Sequence, residues 1–296
     1  GIGLYLYSGL DYLEYYSQFP SHNTVCVDGI SSYPVMKSNH SFDLLSCFPA
    51  SAEPGKGFTS VTYSQVAFRE PESRADQTRL MGIVTTGPET GYYVDVFRSR
   101  KERGGDKMHD YFYHNLGQTM TLTAADGTDL NLQPTEELAF AGAHLYAYSY
   151  LYDKKVATTG QDVKVTFTID MKDKGGDDIS MNLWMKGEPE REVFTALSPM
   201  TEGLSRTPHM PYNIKEQPTL TFVARQHGEA WNRPFVAVYE PSTQKEPSAI
   251  QSVSYFDAEE PGLKDFAGIC VESKNGRTDH IFSLTDSSQT ATYQGM

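Results

Sequence analysis

Apolar and polar residues alternate along Val163, Val165, Phe167 and Ile169 and again along Ile179, Met181, Leu183 and Met185, with Lys174-Gly175-Gly176-Asp177 between them. A period of two puts one set of side chains on a single face of an extended strand, whereas a helix would scatter it around its axis, so the segment reads as a strand pair closed by a glycine turn. The signature recurs. Met120 and Leu122 face Leu130 and Leu132 across Asp126-Gly127, and Ile269 and Val271 face His280 and Phe282 across Asn275-Gly276; Asp-Gly and Asn-Gly between alternating runs are strong hairpin signals. Further strands are predicted over 92–98, 146–152, 220–225, 235–239 and 250–256. No window of eleven or more residues keeps a helical period, and only 9–19 is expected to hold a short helical turn. The 19 Tyr and 15 Phe fit pleated, half-buried surfaces, and 16 Pro and 24 Gly punctuate them. These features predict an all-β fold, a large antiparallel β-sandwich of layered sheets. A length of 296 residues permits one or two sheet units. A boundary is expected near 155–161, dividing a first sheet region (1–156) from a second (157–296) within one compact unit. Segments 50–57 and 197–217 read as long loops, the second carrying Arg206, His209, Met210 and Tyr212.

Composition narrows the function. A formal net charge of −13 argues against nucleic acid, which is bound by Lys and Arg on phosphates. An acidic polymer as partner would need a local basic groove. Cys26, Cys47 and Cys270 are too few and too scattered for a disulfide framework, and no CxxC pair suggests zinc or redox chemistry; they read as small buried hydrophobes. No stretch is long and apolar enough for a membrane span. The sequence holds no GxSxG, P-loop, HExxH or EF-hand loop, and its paired carboxylates, Glu259-Glu260 and Glu70 with Glu72, lie in polar segments with no glycosidase context.

Three short motifs carry a likeness. His22-Asn23-Thr24-Val25 runs on to Val27-Asp28-Gly29; Val94-Asp95-Val96-Phe97-Arg98 is followed by Gly104-Gly105 and by His109-Asp110-Tyr111-Phe112-Tyr113-His114; and Phe235-Val236-Ala237-Val238-Tyr239-Glu240-Pro241 comes late in the chain. In order and separation they resemble the C-terminal β-sheet region of the heparinase II/III-like polysaccharide lyases. The resemblance implies β-elimination on uronic-acid polysaccharides, with an acidic polysaccharide as partner and a periplasmic or secreted location. It also implies an upstream helical domain carrying much of the catalytic machinery, without which the chain would be folded but inactive. The runner-up is a non-catalytic carbohydrate-binding or structural β-sandwich module; a complete small lyase with His22, His114 and Tyr15 converging is a third reading.

The same resemblance singles out residues. It implies a metal site, zinc or another divalent ion, with His22 as the one ligand present and its partners upstream of Gly1, a set of imidazole and carboxylate that suits zinc. It places substrate-contacting aromatics at Tyr15 and Tyr16. Eliminative cleavage needs a group that neutralises the uronate carboxylate, a base and an acid, roles open to His, Tyr, Asn and Arg. His114 and Tyr15 are the catalytic candidates, and Asn23 and Arg98 join Tyr15 and Tyr16 as substrate-binding candidates. The residues alone leave open a strand-end His22 bonded to backbone, a His114 packed among Tyr111, Phe112 and Tyr113, and arginines 98, 225 and 233 paired to acidic neighbours. His109 and His114, five apart on one strand, are expected on opposite faces.

Overall fold

The structure, a computed structural model, describes residues 9–31, 42–49, 60–103, 105–139, 146–201, 210–260, 262–286 and 288–293. Its strands form three antiparallel sheets. A six-stranded sheet runs β1 (Val25–Val27), β6 (Met108–Asn115), β13 (Thr219–His227), β12 (Arg191–Ser198), β9 (Tyr152–Thr159) and β8 (Gln133–Pro134). An eight-stranded sheet runs β2 (Asp43–Phe48), β3 (Val61–Glu70), β4 (Ala75–Thr85), β5 (Gly91–Lys101), β14 (Ala230–Thr243), β11 (Ile179–Met185), β10 (Val163–Ile169) and β7 (Thr119–Ala124). A three-stranded sheet holds β15 (Ile250–Phe256), β16 (Ala267–Ser273) and β17 (Thr278–Ser283). The fold is the expected all-β sandwich.

The alternation explains the layering. On β14, Phe235, Ala237 and Tyr239 enter the core shared with the six-stranded sheet, while Val236 and Val238 enter a second core against β15 and β16. The eight-stranded sheet is the middle layer, which is why β14 reads as a continuous apolar run. Each fully buried Phe or Leu contributes about 1.5–3 kcal/mol of transfer free energy. The outer face of the six-stranded sheet is covered by helical turns: Tyr15, Ala147, Tyr148 and Leu151 pack on Cys26, Phe112, Phe194 and Val223.

Several expectations change. Residues 146–152 are not one strand: Tyr146–Tyr150 form a 3-10 turn, stabilised by the Tyr148 hydroxyl on Asp110 (2.7 Å) and the Tyr150 hydroxyl on Glu14 (2.7 Å). Across Asp126-Gly127 only one bridge forms, Thr123 with Asp129, because β7 pairs instead with β10. The division at 156/157 separates no sheets; β5–β14, β6–β13 and β7–β10 all pair across it. The hairpins β10–β11 and β16–β17 and the turn at Tyr12–Tyr16 form as expected. The three cysteines are unpaired, Cys26 buried and Cys47 and Cys270 half-buried. Segment 50–57, Arg206 and His209 lie outside the described residues.

Candidate functional site

On its β2–β4 side the eight-stranded sheet extends past β1, the end strand of the six-stranded sheet. There the chain leading into β1 crosses the inner face of β3 and β4 and encloses a cleft of about 400 Å³. Ser17, Phe19, His22 and Thr24 line it from the crossing segment, Val66, Phe68, Gln77, Arg79 and Phe97 from the sheet, and Phe42 from the segment before β2. Beyond it the same face carries the exposed side chains of Leu44, Met81 and Ile83. A cleft of this size, walled by four phenylalanines and Val66 with a few convergent polar groups, has the form of a ligand site.

Among the described residues Arg79 is the one charged side chain lining it. Its Nε and Nη2 donate to the two oxygens of Asp95 at 2.9 and 2.7 Å, and its Nη1 donates to the Asn23 carbonyl at 2.8 Å. The guanidinium lies 5.3 Å from the Phe97 ring centroid and its side chain is 24% exposed. Burial alone would lower its pKa, but the adjacent Asp95 carboxylate outweighs this and raises it. Asp95 is fully buried on β5 and also accepts the hydroxyls of Tyr111 (2.8 Å) and Tyr239 (3.2 Å).

His22 is half-buried on the cleft wall. Burial pulls its pKa down to about 4, so the ring is neutral at pH 7. A base so weak is poorly matched to abstracting a carbon-bound proton at neutral pH. His22 can instead exchange hydrogen bonds with a ligand hydroxyl or carboxylate.

The other candidates stand behind this wall or away from it. Asn23 presents its side chain to β6, where Oδ1 accepts from the His114 amide at 2.7 Å and Nδ2 donates to the His114 carbonyl at 3.4 Å, extending the β1–β6 pairing. His114 is buried, its Nε2 2.8 Å from the Pro20 carbonyl and its Nδ1 2.9 Å from Thr221 Oγ1. Burial lowers its pKa to about 4, and nearby His22 adds to the lowering. Thr221 bonds Ser198, and Ser198 bonds the Tyr15 hydroxyl. His114 and Tyr15 therefore sit on one buried chain of hydrogen bonds. Tyr15 stacks on Tyr150 at 5.4 Å and is only 3% exposed; burial raises its pKa, so its hydroxyl stays protonated. Tyr16 donates to the Met200 carbonyl at 2.6 Å. Arg98 faces the third sheet, fully buried, with Nη1 on Ser283 Oγ (3.1 Å) and Nη2 on the carbonyls of Asp265 (2.8 Å) and Ser283 (3.1 Å). Arg225 forks onto Asp110 at 2.7 and 3.0 Å, and Arg233 donates to the His227 carbonyl at 3.0 Å. His109, on the opposite face of β6 from His114, is held by Ser99 (2.9 Å) and Asp106 (2.8 Å).

Among the described residues the cleft walls offer no carboxylate or thiolate beside His22 and include a guanidinium, and no group of three or more His, Cys, Asp or Glu is placed to hold a metal ion. Asp28, the acid of the Val27-Asp28-Gly29 turn, instead binds the Lys101 ammonium and the amides of Lys107 and Met108. Among the described residues no helix is long and apolar enough to cross a membrane.

A larger cavity of about 520 Å³ separates the outer face of β3–β5 from β17. Among the described residues the one carboxylate lining it, Asp279, is engaged by the Tyr92 hydroxyl and by Arg277, both at 2.9 Å, and no Lys or Arg lines it, whereas the Arg79 cleft presents a guanidinium to an acidic ligand and is the better candidate.

Sequence reasoning missed Arg79 and Asp95. The available signal was a carboxylate at the centre of the apolar run Val94-Asp95-Val96, which cannot be buried without a partner.

No family model matches the chain. Comparison with characterised proteins relates it to a polysaccharide lyase. That relative is an endo-acting ulvan lyase of Formosa agariphila, 34% identical over 220 residues, which make up 72% of this chain and 25% of the lyase. The chain spans about a quarter of the relative's length.

Proposed function

We propose that the chain is the β-sandwich part of a polysaccharide lyase that cleaves uronic-acid-containing glycans by β-elimination, and that the Arg79–His22 cleft forms part of one wall of its substrate groove. The observation that carries this reading is the Arg79 guanidinium in an aromatic cleft, in a chain similar to part of an ulvan lyase. Removing the proton beside a uronate carboxylate drives negative charge onto the carboxylate oxygens, and a fixed guanidinium stabilises that charge better in the transition state than in the ground state. Neutral His22 contributes a hydrogen bond, and Phe19, Phe42, Phe68 and Phe97 provide apolar walls for sugar faces. The base and acid come from an upstream helical domain. The narrower likeness to the heparinase II/III-like lyases belongs to this proposal and rests on the His22–Gly29 and Phe235–Pro241 motifs. So does a periplasmic or secreted location, where a polymeric substrate is met.

The test is the ultraviolet absorbance of the unsaturated uronate, recorded on ulvan with the longest polypeptide carrying this chain and with its Arg79→Ala variant. Loss of one preorganised charge-stabilising donor should cost about 10²-fold in kcat. Undiminished turnover in a folded Arg79→Ala protein would refute the assignment of the cleft.

A further inference from the structure

We propose that Asp95, with Tyr111 and Tyr239, is a positioning device that presents Arg79 to a substrate carboxylate; this inference rests on the reading of the cleft given above. Asp95 lies beneath the cleft floor and touches no cleft space: it is fully buried, does not line the cavity and receives four hydrogen bonds, two from Arg79 and one from each tyrosine. The tyrosine hydroxyls also contact each other, and their rings are fixed by Phe235 against Tyr111 (5.3 Å) and by Tyr113 stacked on Tyr239 (4.9 Å).

An apolar side chain at this position would be the cheaper way to fill a core, since buried ion pairs are often neutral or unfavourable relative to packed hydrophobes. What the pair adds is direction. A guanidinium has five N–H donors in a fixed plane. Three are engaged, two by Asp95 and one by the Asn23 carbonyl. One donor on each terminal nitrogen is left without a partner among the described residues, in a side chain whose remaining exposure is toward the cleft. The carboxylate fixes the plane and the Asn23 carbonyl fixes its far end, so a ligand meets an ordered donor pair and the protein loses little side-chain entropy on binding. A lysine could reach Asp95 but could not make this arrangement, because an ammonium is a point charge without a fork.

The experiment is calorimetric titration of the full chain with ulvan oligosaccharides and with the same oligosaccharides methyl-esterified at their carboxyl groups, for the unaltered protein and for Asp95→Asn, Tyr239→Phe and Arg79→Ala. Each protein is first checked by thermal unfolding. A charge-assisted hydrogen bond is worth about one decade in affinity. Asp95→Asn should therefore weaken binding of the free acid about tenfold and Tyr239→Phe by about threefold, with little change for the ester, which has no charge to receive the fork. A purely structural role would weaken both ligands alike, and that result overturns the inference. Should Asp95→Asn fail to fold, Tyr239→Phe, which keeps the ring and its stacking, carries the same comparison. Weaker binding in Arg79→Ala with none in the folded Asp95 and Tyr239 variants would refute the positioning role and leave the cleft standing. Unchanged binding in Arg79→Ala, or no binding by the unaltered chain, would refute the cleft reading and this inference with it.

Discussion

His114 is a buried imidazole with both ring nitrogens engaged, and its neutrality makes the fold sensitive to acid. The unfolded chain takes up a proton near the ordinary 6.5, whereas the folded protein resists until about 4. Between those values the unfolded state holds more protons, so stability falls as pH drops through the window and is fully present above it. For His114 alone the loss amounts to about 3 kcal/mol by pH 4, and His22, also depressed to about 4, acts in the same direction. Urea unfolding from pH 7 to pH 4 should show the unaltered protein losing about 3 kcal/mol more than His114→Gln over the window; parallel curves would refute the neutral, buried assignment. At this scale the sequence was legible in residue type and poor in direction. His22 could be found because it heads an apolar strand, and it lines the cleft. Asn23 and His114 came from the motifs and Tyr15 from the resemblance they carry, yet their side chains serve the β1–β6 junction and a buried hydrogen-bond chain, since a one-dimensional pattern does not say which way a polar atom will turn. Arg79 was missed because its partner, Asp95, is sixteen residues away on the neighbouring strand.

The β1 element is short, at three residues, and depends on its ends. Asn23 holds one end to β6. At the other, Asp28 adopts a left-handed conformation (φ 53°) and accepts from the amides of Lys107 (2.9 Å) and Met108 (3.1 Å) and from the Lys101 ammonium (2.6 Å). Burial pushes the Asp28 carboxyl up, but these donors together hold it below its ordinary value. Asp28→Ala removes all three bonds and puts an alanine where the left-handed region costs about 1 kcal/mol, for a total of about 2–3 kcal/mol. Asp28→Asn keeps a side chain that tolerates this conformation and one acceptor, and should recover about half. Denaturation midpoints of the two variants check this, and equal midpoints for Ala and Asn would exclude the clamp. Elements with strict alternation and a tight turn, β10–β11 and β16–β17, were legible because period and turn chemistry agree. Residues 146–150 were not. Tyr146, Tyr148 and Tyr150 alternate as a strand would, but tertiary partners on Asp110 and Glu14 and stacking on Tyr15 favour a tight helical turn over the outer face of the six-stranded sheet.

Across the whole molecule, three layers are joined by two cores, and the sequence could indicate layered sheets without their order, because strands near in sequence are divided between sheets. Arg98 shows how much depends on that order. Read along β5 it looks like a fork for an acidic ligand, but alternation turns Tyr92, Val94, Val96 and Arg98 to the face opposite Asp95 and Phe97, into the interface with the third sheet. There burial lowers its pKa to about 10, still far above neutrality, so a cation is held between layers by the carbonyls of Asp265 and Ser283 and the Ser283 hydroxyl. Arg98→Met conserves most of the volume and removes the buried charge, but it leaves two carbonyls facing an apolar chain. At about 1 kcal/mol for each lost bond the net destabilisation should be about 2–3 kcal/mol. The effect should be local. Amide exchange on β16 and β17 should accelerate, while β6 and β13, two layers away, keep their protection, and, on the proposed reading of the Arg79 cleft, affinity for ulvan oligosaccharides should not change. The contrary result, lost glycan affinity with unaltered exchange in the third sheet, would restore Arg98 to the binding site and put the substrate on the opposite face of the middle sheet from Arg79.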